Sequence, residues 1–254
     1  MDNFFHLTST CSTNEDAYGL ALKGAEHGTA IRADVQTGGR GRLGREWISA
    51  PGTGLYCSII VRPNLPFTEY PKLTLTAGLA LCTVIETLLP DAPFGLKWPN
   101  DLYCKGRKAG GILVESSSFL NADEDGFAIV GIGVNVNSRL DDFSLELQQS
   151  ATSLLIESNQ LWDISELYYE IHESLLKHVQ IHEQLGFAEI LKEWRRRDVL
   201  LEKEMQWLTR DKKVITGLGM GPDKNGQLLA RDRDGKVHEI LSGDVQLFDS
   251  NKKE

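Results

Sequence analysis

Cysteine is scarce: Cys11, Cys57, Cys82 and Cys104 stand far apart in 254 residues, and no two have the C-x-x-C spacing. That argues against a zinc ribbon or a disulfide framework, so a reducing, cytoplasmic setting is the expectation. A basic surplus is missing too: 27 Lys and Arg face 36 Asp and Glu, a formal charge of −9. A protein that grips long nucleic acid by its phosphates should be basic, so local arginines here point to one compact anionic ligand. The opening MDNFFHLTSTCSTNED lacks the basic-then-apolar order of a signal peptide. No apolar stretch reaches the roughly 18 residues of a membrane span, so no membrane partner is expected. Repeats and low-complexity linkers are absent as well. What remains, 41% hydrophobic and 25% charged, reads as an ordinary globular chain, one large domain or a large one with a small companion.

Ser12-Thr13-Asn14-Glu15 opens a helical pattern, with Ser12 and Glu15 spaced as a capping box and Gly28 as its stop. AIRADV is a short strand, and GLYCSIIVRP an apolar core strand. Residues 70–89 are apolar on nearly every side, which predicts a buried helix. FGLKWPNDLYCKGRKAGGILVESSSF reads as two strands about a turn at Lys105-Gly106, and FAIVGIGVNVN as another strand after an Asp125-Gly126 hairpin turn. Residues 163–185 form a long amphipathic helix, followed by a shorter one up to Trp194. After RRRD the pattern changes to short strands separated by Asn225-Gly226 and Asp234-Gly235 turns. The expected architecture is α+β, a mixed sheet with helices over residues 1–199 and a small β-barrel over residues 200–254.

TGGRGRLGREW, residues 37–47, contains a G-x-G-x-x-G. A dinucleotide-binding turn requires a helix to follow and an acid about 20 residues on; Pro51-Gly52 opposes the helix, and Ile59 to Pro66 holds no acid. No G-K-[ST] follows for a Walker loop, and kinase signatures are missing. A cationic, glycine-rich loop is left. Its glycines let backbone approach a ligand, and Arg40, Arg42 and Arg45 supply forks for carboxylate or phosphate. Unliganded, those arginines repel at about 0.7 kcal/mol per pair ~6 Å apart in water. Two readings stand at this point: a loop that is mobile when empty and folds over an anion, or a solvated basic surface loop.

Five motifs then occur in order: Ser12-Thr13-Asn14; Gln36 with GGRGRLGR; KWPND at Lys97 to Asp101; KAGGILVE at Lys108 to Glu115; and GIGVNVN at Gly131 to Asn137. Together they resemble the biotin–protein ligases, also called biotin–[acetyl-CoA-carboxylase] ligases, and the resemblance runs from about residue 7 to 250. It implies a catalytic domain related to class II aminoacyl-tRNA synthetases and an SH3-like C-terminal barrel. Some relatives carry an N-terminal winged helix that binds DNA; this chain starts only about a dozen residues before its Ser-Thr-Asn. A monofunctional enzyme without a DNA partner is the expectation.

The implied reaction joins biotin to ATP as biotinyl-5′-AMP and passes biotin to a lysine of a biotin carboxyl carrier protein or domain, with Mg²⁺ as cofactor. By resemblance, Arg42 and Lys108 are the catalytic cations. Ser12, Thr13, Asn14, Gln36, Arg40, Gly41, Gly111, Gly131 and Gly133 join them around biotin. Arg42, Arg45, Trp47, Lys97, Asn100 and Asn135 fall to ATP, and Asp101 either helps hold Mg²⁺ or orients a neighbour. Ser12 and Thr13 also suit a plain helix cap, the glycines a β-bulge, and Trp47 the core; Trp98 is read as core. His172, His178 and His182 are read as a solvated helix face rather than a zinc site, and Arg195 to Arg197 as a helix-terminal charge run. Lipoate ligases and octanoyl transferases of the same superfamily, or a non-catalytic biotin sensor, are the alternatives. Monomer and homodimer are not distinguished.

Overall fold

The computed structural model describes residues 3–117, 126–208, 214–240 and 245–247. In chain order the elements are β1 (Phe4–Leu7), α1 (Thr13–Leu22), β2 (Ala30–Ala33), β3 (Gly54–Val61), α2 (Leu73–Leu88), β4 (Phe94–Lys97), β5 (Asp101–Cys104), β6 (Arg107–Ser116) and β7 (Ala128–Asn135). Then follow α3 (Leu154–Ser158), α4 (Ile164–Leu185), α5 (Phe187–Arg196), β8 (Glu204–Leu208), β9 (Val214–Pro222), β10 (Leu228–Asp232), β11 (Val237–Ile240) and β12 (Val245–Leu247).

Seven strands make one sheet in the order β1-β2-β3-β7-β6-β5-β4. β1 pairs parallel with β2 and the other ladders are antiparallel, so the sheet is mixed as expected. β3 is buried along all eight residues because it lies in mid-sheet between helices. One of its faces, with Cys57, Ile59 and Val61, meets α4; the other, with Ile60, meets Ala17 and Ala21 of α1. The second sheet, β11-β10-β9-β8-β12, is antiparallel throughout. It matches the small SH3-like C-terminal unit, and Gly226 and Gly235 take the positive φ that their turns require. Its Met205, Trp207 and Leu228 belong to the same apolar cluster as α2 and α5. Arg195 donates to Pro222 O and Trp98 Nε1 to Gly226 O, tying this sheet to the larger one.

Several expectations are corrected. α1 stops at Lys23, not at Gly28: Gly24 adopts φ +87°, its N–H donates to Ala21 O, and Ala25 N–H to Leu20 O, a Schellman closure. The segment KWPND breaks what was read as one strand into β4 and β5, with a cis Trp98–Pro99 bond at the corner. Phe67–Leu88 is long and apolar enough, by length and composition, to cross a membrane, contrary to the expectation that no stretch would be. Its α2 portion packs in the core, where Ala77, Ala80, Leu81 and Ile85 are fully covered. The three histidines of α4 face inward rather than to solvent. His172 Nε2 bonds Gly28 O, His178 Nδ1 bonds Ser174 O, and His182 bonds Thr76 and Glu69. Residues 122–125 of the ADEDG turn, including Asp125 of the hairpin signal, lie outside the described residues.

Candidate active site

One cleft of about 250 Å³ opens where the start of α1, the glycine–arginine loop, β6 and β7 converge. Ser12 takes the extended conformation of an N-cap, but its side chain caps nothing, so the predicted capping box does not form. Glu15 turns instead to Arg40, 3.5 Å away. Ser12, a residue only 2% exposed, lies in the cleft wall.

Thr13, Asn14 and Gln36 form a bonded set at one end. Gln36 Oε1 accepts from Thr13 N at 2.9 Å and from Thr13 Oγ1 at 3.1 Å, while Gln36 Nε2 donates to Ser49 Oγ at 3.1 Å. A side-chain amide has two N–H donors, so the second remains for a ligand. Asn14 Nδ2 donates to Glu115 Oε2 at 2.7 Å and to Leu113 O at 3.4 Å. Buried groups held this way reject a ligand that cannot match them, because mismatch strands a polar atom. The facing glycines leave the necessary room. A Cβ on Gly131 would land on Asn14 Oδ1, and one on Gly133 would come within 2.6 Å of the Trp47 ring. At Gly111 an added Cβ would press on Lys108 and Trp47 at 3.2 and 3.3 Å. The bulge reading fits β6 at one point only, where its register with β5 shifts between Leu102 and Tyr103. Cys57 of β3 also borders the cleft, but its side chain lies on the opposite face of the sheet, where burial pushes the thiol up to about 12.

The other end is cationic. The loop folds back on itself: Trp47 N donates to Gly39 O at 2.9 Å, Gly41 N to Arg45 O at 2.7 Å, and Arg42–Gly44 form a tight turn with Leu43 at φ +58°. This is a hairpin-like excursion, not a strand-to-helix turn. The repulsion expected among its arginines is relieved by protein partners. Arg40 lies 3.4 Å from Glu115 and 3.5 Å from Glu15, and Arg42 donates to Asn100 Oδ1 at 3.1 Å. Lys108 sits 2.6 Å from Asp101, and its ammonium stands 5.4 Å from the centre of the Trp47 ring. Lys97 donates to Tyr103 OH at 3.1 Å. Arg45 also lines the cleft.

The cleft therefore gathers every expected site residue but one. Asn135 is not in its lining; its amide donates to Thr152 O, at the end of β7. Trp47 is in the cleft rather than the core, while Trp98 is buried as read. Asp101 is the ion-pair partner of Lys108. Among the described residues no group of three or more His, Cys, Asp or Glu is placed to hold a metal. A dedicated protein cage for Mg²⁺ thus does not fit these residues, whereas an ion carried in on phosphates needs none. Sequence reasoning missed Ser49, Ser58, Tyr103 and the carboxylates Glu15 and Glu115. Ser58 alone left a trace, as the one polar residue within CSIIV.

Comparison with known proteins adds four findings. The profile of the biotin/lipoate A/B protein ligase family matches residues 6–137. The bifunctional ligase/repressor BirA of Bacillus spizizenii is 36% identical over 238 residues, which cover 93% of this chain and 71% of that one. The biotin–[acetyl-CoA-carboxylase] ligase of Mycobacterium tuberculosis is 29% identical, over 94% of this chain and 86% of that one. Among solved structures, biotin protein ligase from Aquifex aeolicus in complex with biotin and ATP superposes with a TM-score of 0.80 at 33% identity, covering 98% of this chain and all of that one.

Proposed function

Since this chain belongs to the biotin/lipoate A/B protein ligase family, we propose that its cleft joins biotin to ATP and delivers the biotinyl group to a lysine of a biotin carboxyl carrier protein. The observation that carries this reading is the polarity of the cleft. A neutral, hydrogen-bonding end suits a ureido ring, and a cationic end suits a carboxylate meeting a triphosphate. The unit that does this is residues 1–199, with residues 200–254 as its C-terminal companion.

In the first step a biotin carboxylate oxygen attacks the α-phosphorus of ATP; the bond to the bridging oxygen breaks and pyrophosphate leaves. Both reactants are anions, so the requirement is positive charge at the point where they meet. Arg40, Arg42 and Lys108 are assigned to the carboxylate and α-phosphate, and Lys97, Asn100 and Arg45 to the nucleotide. Trp47, beside Lys108, is assigned to covering the adenylate from water. Mg²⁺, when bound, offsets phosphate charge. In the second step the neutral amine of a carrier lysine attacks the acyl carbon, an amide forms, AMP leaves, and the amine's proton passes to solvent.

Gln36, Thr13 and Ser12 favour biotin over lipoate, whose dithiolane offers no donors to match them. Exchange of labelled pyrophosphate into ATP tests the reading: it should require biotin and be unaffected by lipoate or octanoate. Exchange supported by lipoate, or none with biotin, would remove it.

A further inference from the structure

Lys108 is assigned to the reacting centre, yet the strand that carries it is only partly paired. The β6–β7 ladder starts at Gly110, so Lys108 lies past its end. On the β5 side the register slips by one residue between Lys108 and Gly110. What holds Lys108 is a short piece of chain that precedes α3. Its N–H donates to Ser150 O at 2.8 Å, and its carbonyl accepts from Thr152 N at 2.9 Å. A lysine ammonium rides on a flexible stem, so its reach depends on where its backbone and its partner Asp101 are fixed.

That piece of chain and the turn before Lys108 converge on one carboxylate. Glu157 of α3 has only 1% of its side chain exposed. Its Oε1 accepts from Thr152 Oγ1 at 2.6 Å and from Arg107 Nη2 at 2.7 Å, and its Oε2 from Lys105 Nζ at 2.9 Å. Thr152, itself fully buried, also offers its carbonyl to Asn135 Nδ2 at 2.9 Å. Glu157 thus grips the residue that precedes Lys108 and the residue that bonds its carbonyl. A carboxylate withdrawn from water is costly unless its partners are well placed, and breaking such a pair strands a charge. The cluster therefore resists displacement of any one member. Glu157, Thr152 and Asn135 all lie outside the cleft lining.

We infer that Glu157 is a positioning residue for adenylate formation: by clasping Arg107 and Thr152 together it fixes the backbone of Lys108, and hence the reach of its ammonium into the cleft. This rests on the cleft being an adenylating site in which Lys108 acts. It also gives Asn135 a place in the same brace rather than at the nucleotide.

The test uses the whole chain and single-turnover formation of the adenylate from biotin and ATP. The unaltered protein comes first: no adenylate would overturn the proposed function, and this inference with it. Glu157→Gln keeps the size and loses the charge. It should slow the step about 10- to 100-fold, the scale for a reacting group displaced by about an ångström. Biotin affinity, read by calorimetry, should change less than about threefold, because the ureido end is untouched. The deciding measurement is the same substitution in a Lys108→Ala background. A residue that acts through Lys108 has nothing left to position there, so the added loss should be under about threefold. A merely structural lesion would multiply in full, and that result would overturn the inference while the function stood. Thr152→Val and Thr152→Ser guard against a folding defect in Glu157→Gln. The first loses the hydroxyl arm and should slow the step about three- to tenfold; the second keeps it and should stay within about twofold of the unaltered rate. Equal rates in those two variants would also overturn the inference.

Discussion

At one end of the cleft the protein's polar groups are bonded to one another; at the other, its cations are bonded to its own acids and amides. The first arrangement is buried and neutral. Ser12, Thr13 and Asn14 are 2%, 3% and 5% exposed, and the bonds of Thr13 and Asn14 are made by atoms that the fold holds in place. The second is open: Arg40 keeps about half its side chain in solvent, and its carboxylate partners do much the same. Buried matched groups lose much when a ligand mismatches them, whereas exposed ion pairs are each worth about 0–1 kcal/mol and exchange easily. The difference assigns selectivity to one end and chemistry to the other. Recognition needs a template that does not yield, and catalysis needs cations that can be handed from protein to substrate.

Lys108→Ala should have the largest effect, and it strikes the chemical end. Loss of a cation from the reacting centre should slow adenylate formation by on the order of 10²–10³, by the scale of oxyanion-hole deletions. Single-turnover formation of the adenylate measures that rate, and calorimetry measures biotin affinity, which should change by less than about tenfold. If affinity fell as far as rate, the two ends would not be separable and the division drawn above would fail. Gly131→Ala strikes the other end. The new methyl would land on Asn14 Oδ1, and Asn14 is held from three sides by Ser58, Leu113 and Glu115. Biotin affinity should drop at least about tenfold, with a stability loss of roughly 1–3 kcal/mol from overpacking. Titration calorimetry and thermal unfolding read the two quantities. A variant with full affinity would show the slot to be pliant.

Much of the frame was legible because its signals are local. Apolar runs marked β3 and α2, Asn-Gly and Asp-Gly marked the turns of the second sheet, and the motifs marked all but one of the cleft's expected residues. What was not legible depends on pairs far apart in the chain. Ser58 meets Asn14 across 44 positions and Glu115 meets it across 101, and no spacing rule reaches that far. The histidines of α4 show the same limit. Their i, i+4 spacing says they share a face, but the amphipathic pattern alone did not say that α2 and its Glu69-bearing lead-in would cover it. Likewise, counting arginines in the loop predicted repulsion, since the acids that pair with Arg40 come from α1 and β6.

The smallest expected effect tests the handing-over most directly. Glu15 stands beside Arg40 with no other role in the cleft, so Glu15→Gln removes a competitor for that guanidinium and leaves the ureido end intact. If the protein's carboxylates hold the place of the biotin carboxylate, the variant should bind biotin more tightly, by about 1.5- to 5-fold given the worth of an exposed pair. If Glu15 instead poses Arg40 for the ligand, binding should weaken. Salt separates a charge effect from a packing one: at about 1 M the screening length falls to ~3 Å and a gain that comes from charge should largely vanish. The variant also removes an acid from the first turn of α1, which should cost about 0.3–1 kcal/mol of helix stability and appears in melting, not in affinity. A lower melting point together with tighter, salt-sensitive binding would mark a cation held in trust for the substrate, since a damaged helix start could only loosen the site beside it.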